Sequence, residues 1–149
     1  MRSKRPMPPA LLAVSIAAMV AFHFLLPIWR VVPPVWRYAG IIFIAFGAVW
    51  NIWADQLFKR YETTVKPHLE PTFLVISGPF GVSRNPMYVG MIAIAAGVAI
   101  LLGTLVSIVI AAGFAAMLAL KFVPMEEKSM EKAFGQTWHE YKHRVRRWL

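Results

Sequence analysis

The chain has 149 residues, 58% of them apolar and only 15% charged, with 16 Lys plus Arg, 7 Asp plus Glu and no cysteine. Soluble domains carry about 25% charged and about 45–50% apolar residues, so this composition excludes a disordered chain and a disulfide scaffold and argues against a soluble globule. The lack of cysteine removes thiolate catalysis and Cys-based zinc sites, and the net charge of +9 flanks apolar runs instead of lining a solvated surface, which places a membrane before nucleic acid as the partner.

The first apolar run, residues 9–29, has His23 as its only strongly polar side chain and about the length of a bilayer span of roughly 20 residues. Arg2, Lys4 and Arg5 precede it, as in a signal peptide, but the run is longer than a signal core and lacks a convincing cleavage site, so it is expected to be retained as a span. Arg30 to Arg37 (RVVPPVWR) contains Pro33 and Pro34, which cannot continue a helix; with Trp29, Trp36 and Tyr38 it reads as a short loop at an aromatic belt. A second span is expected over 38–58, with Asn51 and Asp55 on one face four residues apart. Residues 59–86 form the polar centre, holding Lys59, Arg60, Glu62, Lys66, His68, Glu70 and Arg84 among Pro67, Pro71, Pro79 and Pro86. Residues 87–123 are apolar except for Lys121, too long for one span; Gly103-Thr104 divides them into spans over 87–102 and 104–122.

The tail differs in character. Pro124 suits a helix start, acids come early and bases late, and Met130, Phe134, Trp138 and Tyr141 recur at helical spacing, which predicts an amphipathic helix over 124–145. With four spans, all but Arg30 and Arg37 of the basic residues fall on one side, so both termini and the central loop are expected to be cytoplasmic. The fold expected is therefore a single all-α integral membrane domain over 1–149: four transmembrane helices, a cytoplasmic connecting loop and a C-terminal amphipathic helix. The economy of the chain suits a bacterial inner membrane.

Connections longer than about 12–15 residues are usually functional or disordered, and the central one ends in SGPFGVSRNPMYVG, where Gly78, Pro79, Gly81 and Pro86 constrain the backbone and Arg84, Asn85 and Tyr88 sit at the edge of a span. A ligand site and a packing turn both fit that pattern. The string Gly78-Pro79-Phe80 followed by Ser83-Arg84-Asn85-Pro86-Met87-Tyr88-Val89-Gly90 resembles the G-x-Y…R-H-P-x-Y-x-G signature of isoprenylcysteine carboxyl methyltransferases and, more loosely, of phospholipid methyltransferases. Leu74-Val75-Ile76-Ser77-Gly78 is similar to that family's H-x-L-V-T-x-G, and Glu126-Glu127, Phe134-Gly135, Tyr141 and Val145 are similar to its E-E…F-G-x-x-Y-x-x-Y…V block. The resemblance spans residues 45–149, and three pieces in order around a helical hairpin make it specific.

This resemblance implies an integral membrane enzyme that uses S-adenosylmethionine, held between the central loop and the C-terminal helix. By position it assigns cofactor contacts to Thr72, Phe73, Leu74, Val75, Phe80, Asn85, Pro86, Met87, Tyr88 and Glu126, with Glu126 receiving the cofactor's amino group. Arg84 has two open roles, pairing with the cofactor carboxylate or bracing Glu126, and Arg84 and Glu126 are the pair assigned to catalysis. Departures from the signature are Thr72 for its His, Asn85 for the His of R-H-P, Phe80 for its aromatic hydroxyl, and Phe122 for an Arg near the acceptor, leaving Lys121 as the nearest cation. Lys121, Asp55 and Asn51 are the candidate substrate residues; for Asp55 a pairing with Arg84 or Lys59 that anchors the span is the plainer role.

A sulfonium methyl is already activated, so transfer needs alignment and exclusion of water, with no base for a carboxylate acceptor. The expected activity is methyl transfer to a lipophilic or prenylated acceptor, a carboxylate first, entering from the bilayer. The alternatives are a phospholipid or amine N-methyltransferase, an NADPH-dependent membrane reductase, and a non-enzymatic membrane subunit. No metal is expected: His68 and Glu70 lie in a Pro-rich loop, and His139 and His143 stand among basic residues of a solvated helix face. No nucleic-acid partner is expected either, since no soluble module presents the basic charge; Arg144, Arg146 and Arg147 are read as contacting anionic headgroups.

Overall fold

The computed structural model describes residues 7–26, 29–60 and 74–149. Among them the elements are α1 (Pro8–Leu25), a single turn α2 (Pro34–Arg37), α3 (Ala39–Arg60), a single turn α4 (Pro79–Val82), α5 (Pro86–Leu102), α6 (Leu105–Met117), a π-helical segment (Leu118–Phe122), α7 (Val123–Phe134) and α8 (Gln136–Arg144). No strand occurs among the described residues. Three stretches are long and apolar enough to cross a membrane, Pro8–Leu25, Pro34–Arg60 and Leu105–Phe134, and α5 is a shorter apolar helix of 17 residues.

Three boundaries depart from the sequence expectation. The Pro33–Pro34 stretch is not a loop throughout: Pro34 opens the turn α2, because its fixed φ and missing N–H suit the first helical position. Pro124 does not start a separate helix. The chain stays helical from Leu105 to Phe134, and the turn before Pro124 widens into the π segment, where the Val123 N–H reaches back five residues to the Leu118 carbonyl. A proline ring clashes with the carbonyl four residues earlier in a tight α-helix, and the wider turn relieves that clash. Finally, the helix expected over 124–145 is two helices. Gly135 ends α7 and begins α8 with φ +48° and ψ −117°, a conformation that side chains other than glycine's rarely allow.

Helix α5 is the centre of the assembly. One face packs Tyr88, Met91, Ala95 and Ala99 against Met19 of α1, Phe114 of α6, and Leu118, Phe122 and Val123 at and beyond the π segment. The opposite face meets α3 through glycines. Gly40 lies against Gly97 and Gly47 against Gly90, so both helices carry glycines seven residues apart on their shared seam. A Cβ on Gly47 would run into the Gly90 carbonyl oxygen and come within 2.8 Å of Ile94 Cγ1, and one on Gly90 would stand 2.6 Å from Asn51 Oδ1. Small residues at such a seam let two backbones approach closely, which supplies packing where lipid removes the hydrophobic drive. Facing away from α5, Ile42, Val49 and Ile52 of α3 are exposed.

The hairpin between α5 and α6 is closed by local chemistry. Gly103 takes the left-handed conformation at φ +69°, and Thr104 caps α6, its hydroxyl 2.7 Å from that of Ser107. The chain after α1 pairs with this turn: the Val31 N–H donates to the Gly103 carbonyl (2.9 Å) and the Leu105 N–H to the Trp29 carbonyl (3.0 Å).

Gly47→Ala is expected to destabilise the protein in detergent by about 1–3 kcal/mol, because its methyl has no space beside the Gly90 carbonyl. Gly113→Ala, where a Cβ meets nothing within 4 Å, should leave the thermal midpoint unchanged or slightly raised. Equal midpoints for the two variants would refute the glycine seam.

Candidate functional site

The polar turn between α3 and α5 is anchored first by apolar packing. Gly78 at φ +58° lets the chain turn against α3, where a Cβ would meet Leu57 Cδ1 at 2.7 Å. Phe80 then buries its ring among Ala54, Val75, Leu57 and Met87, edge-on to Phe58 with centroids 4.9 Å apart. This fixes the turn Ser83-Arg84-Asn85 at the mouth of α5. Ser83 and Asn85 are buried, and the Asn85 N–H donates to Ser83 Oγ at 3.2 Å. Pro86 occupies the start of α5, where its missing N–H costs nothing.

The second motif block arrives on α7. Tyr88 donates its phenol proton to Glu126 Oε1 at 2.5 Å, joining α5 to α7. Glu127 is buried and faces two arginines. Arg84 Nη1 lies 3.4 Å from its Oε1, while Arg147 grips both oxygens, Nε at 3.2 Å and Nη2 at 2.6 Å. Arg84 and Glu127 side chains are only 8% and 9% exposed. The Arg84 contact is an ion pair without hydrogen-bond geometry, and its Nε and Nη1 have no hydrogen-bond acceptor among the described residues.

The tail completes the joint. The Arg84 N–H donates to the Arg146 carbonyl at 2.9 Å, and Ser83 Oγ and Asn85 Nδ2 both donate to the Arg147 carbonyl at 3.2 Å. Tyr141, buried on α8 beside Trp138, donates its hydroxyl to the Phe80 carbonyl at 2.7 Å. Burial pushes the Tyr141 phenol above the ordinary tyrosine range, a rise that the positive charge of Arg84 offsets in part.

Of the residues singled out from sequence, the structure therefore brings together Phe80, Arg84, Asn85, Pro86, Tyr88 and Glu126, with Val75 and Met87 packed behind them. Leu74 is half-buried just upstream. Thr72 and Phe73 lie outside the described residues, as do His68 and Glu70. Arg84 faces Glu127, and the partner of Glu126 is Tyr88. Asp55 pairs with Lys59 at 2.6 Å on the exposed side of α3, which is its plainer role. Asn51 is wedged against Gly90 with Oδ1 unpartnered, and Lys121 is exposed on the π segment. His139 pairs with Glu131 at 3.2 Å, and among the described residues no group of three His, Cys, Asp or Glu gathers to hold a metal ion.

Two contributors escaped the sequence reading. Glu127 was visible only as the second half of Glu126-Glu127, and nothing in a basic terminus separates Arg147 from Arg144 or Arg146. A signal for Glu127 exists in retrospect: two adjacent acids on one helix point about 100° apart, so neighbouring segments can engage both.

A profile of the phospholipid methyltransferase family matches residues 35–137. The chain belongs to the phospholipid methyltransferase family. That family includes isoprenylcysteine carboxyl methyltransferases, so the resemblance carried by the motif blocks holds at family level. Membership, together with the long apolar helices, supports a membrane methyltransferase. No curated protein and no solved structure matches the chain.

Tyr141→Phe should cost about 1–3 kcal/mol by leaving the buried Phe80 carbonyl without its donor. Because its folded-state phenol titrates above the ordinary value of about 10, the stability it contributes is full below that pH and declines as pH rises toward the shifted value. Alkaline titration of phenolate absorbance, wild type minus Tyr141→Phe, checks this; a difference curve centred at the ordinary tyrosine value would contradict it.

Proposed function

We propose that the protein is an S-adenosylmethionine-dependent methyltransferase of the membrane, its cofactor held between the turn at residues 74–88 and helix α7. The observation that carries this reading is the juncture of the two motif blocks: Tyr88 with Glu126, and Arg84 with Glu127, residues far apart in the chain. The chemistry of the donor set fits the group. Glu126 offers a carboxylate to an ammonium, and Arg84 has guanidinium N–H groups without acceptors for a carboxylate. When bound, the sulfonium supplies a methyl group that an acceptor lone pair captures as the carbon–sulfur bond breaks and its electrons pass to sulfur. The chain's residues bind, align and keep water out. Arg84 and Glu126 are the residues to which binding and orientation fall; Thr72 and Phe73 belong to the same proposed set.

The proposed acceptor is a lipophilic carboxylate. Asp55, Glu126 and Glu127 are each engaged, by Lys59, by Tyr88 and by two arginines, so none stands free as a general base, and a carboxylate acceptor requires none. The second reading, methylation of a lipid amine, is favoured by the family's own description. Four membrane spans with both termini and the motif joint on the cytoplasmic side, in a bacterial inner membrane, complete the proposal. Its support is that the basic residues other than Arg30 and Arg37 lie in the segments assigned to that side. In this arrangement an apolar acceptor reaches the joint from the bilayer without crossing water.

Purified protein titrated with S-adenosylmethionine should bind it, and Glu126→Ala and Arg84→Ala should each weaken that binding at least about tenfold, as expected when a charge-assisted contact worth about 1.5–3 kcal/mol is lost. Unchanged affinity in both variants, or binding of NADPH in place of S-adenosylmethionine, would overturn the assignment. Methyl-labelled cofactor supplied with a prenylated carboxylate and, separately, with an aminophospholipid decides the acceptor class.

A further inference from the structure

The matched family region ends at residue 137, yet the site is closed by residues beyond it. Arg146 and Arg147 both lend backbone carbonyls to the Ser83–Asn85 turn, but only Arg147 also contributes its side chain, laid bidentately on the buried Glu127. Its own side chain is 42% exposed, so it reaches in from the surface to a carboxylate that solvent barely touches. Glu127 thus has its well-formed hydrogen bonds from Arg147, while Arg84 stands at 3.4 Å without hydrogen-bond geometry. Bidentate arginine–carboxylate pairs are the strong ones, and this one fills an acceptor site on each oxygen of Glu127 with the better geometry. The trio of Arg84, Glu127 and Arg147 by itself carries one unit of positive charge, two cations around one anion.

We infer that Arg147 is a positioning residue whose grip on Glu127 keeps Arg84 free for the carboxylate end of the cofactor. The inference rests on the S-adenosylmethionine reading above and deepens it. In the absence of Arg147, Glu127 turns fully to Arg84, forms the bidentate pair with it, and neutralises the charge that the ligand requires.

The test is binding of S-adenosylmethionine and of its decarboxylated analogue to purified full-length protein. Arg147→Ala should weaken S-adenosylmethionine about tenfold or more, the scale on which a lost charge-assisted hydrogen bond is felt, and leave the decarboxylated analogue unchanged. Arg146→Ala removes the same charge one residue away, keeps the backbone carbonyl, and should match wild type. Adding Glu127→Gln to Arg147→Ala removes the carboxylate that captures Arg84 and should restore most of the affinity. Equal weakening of both ligands, an equal effect from Arg146→Ala, or no recovery in the double variant would overturn the inference. If wild type itself binds no S-adenosylmethionine, the cofactor reading fails and this inference falls with it; if wild type binds and Arg147→Ala binds as tightly, only the role of Arg147 fails.

Discussion

The structure depends on a shared carboxylate. Glu127, buried on α7, sits between Arg84 from the turn before α5 and Arg147 from the end of the chain. A buried charge is costly to remove from water, and losing one partner of such a group costs more than the pair contributes in isolation. Here the cost is met by partners from two other segments, so the ions are most stable when all three segments are assembled. The neighbouring contacts, Tyr88 to Glu126, Tyr141 to the Phe80 carbonyl, and the Ser83 and Asn85 donors to the Arg147 carbonyl, join the same segments.

That joint has its position because the helices beneath it are in tight register. The glycines of α3 and α5 bring the two backbones together, and the last turns of α3 then offer Ala54 and Phe58 as the bed on which Phe80 lies. On the other flank the π segment before Pro124 changes the rotation of the helix as it continues into α7, so the acids that follow meet α5 and its turn. The extra residue in a π turn shifts the facing of everything after it by roughly 100°, about a quarter turn, relative to a regular α-helix. Membrane packing and site geometry are thus one problem: a wider α3–α5 spacing or a regular α-turn before Pro124 would leave the same polar residues out of register.

Much of this was legible beforehand. Apolar runs, prolines and the clustering of charge were sufficient for an all-helical chain with a polar centre, and the motif blocks identified Arg84, Asn85, Tyr88 and Glu126 as a set before any geometry. Less was legible where a residue has two plausible lives. Asp55 could line a pocket or, as the plainer role, pair with Arg84 or Lys59, and it pairs with Lys59 four residues on, since that partner is always within reach. Pro124 looked like a helix start, but burial of Leu118, Phe122 and Val123 holds the helix together through it. The stripe of Met130, Phe134, Trp138 and Tyr141 looked like one helix, and the backbone at Gly135 instead divides the tail into two.

From sequence alone came the solvent the chain prefers, the helical class and the residue types at the polar centre, because hydropathy, proline and local spacing act over a few residues and need no folded partner. Only the tertiary structure decided which arginine meets which acid. Arg144, Arg146 and Arg147 have similar neighbours in the chain and the same charge, and Glu126 and Glu127 are adjacent and alike. Their difference lies in direction: helix rotation, the approach of α5 to α3 and the path of the last few residues turn Arg147 to Glu127 and Glu126 to Tyr88, and direction is a property of packing between distant segments that no local pattern contains.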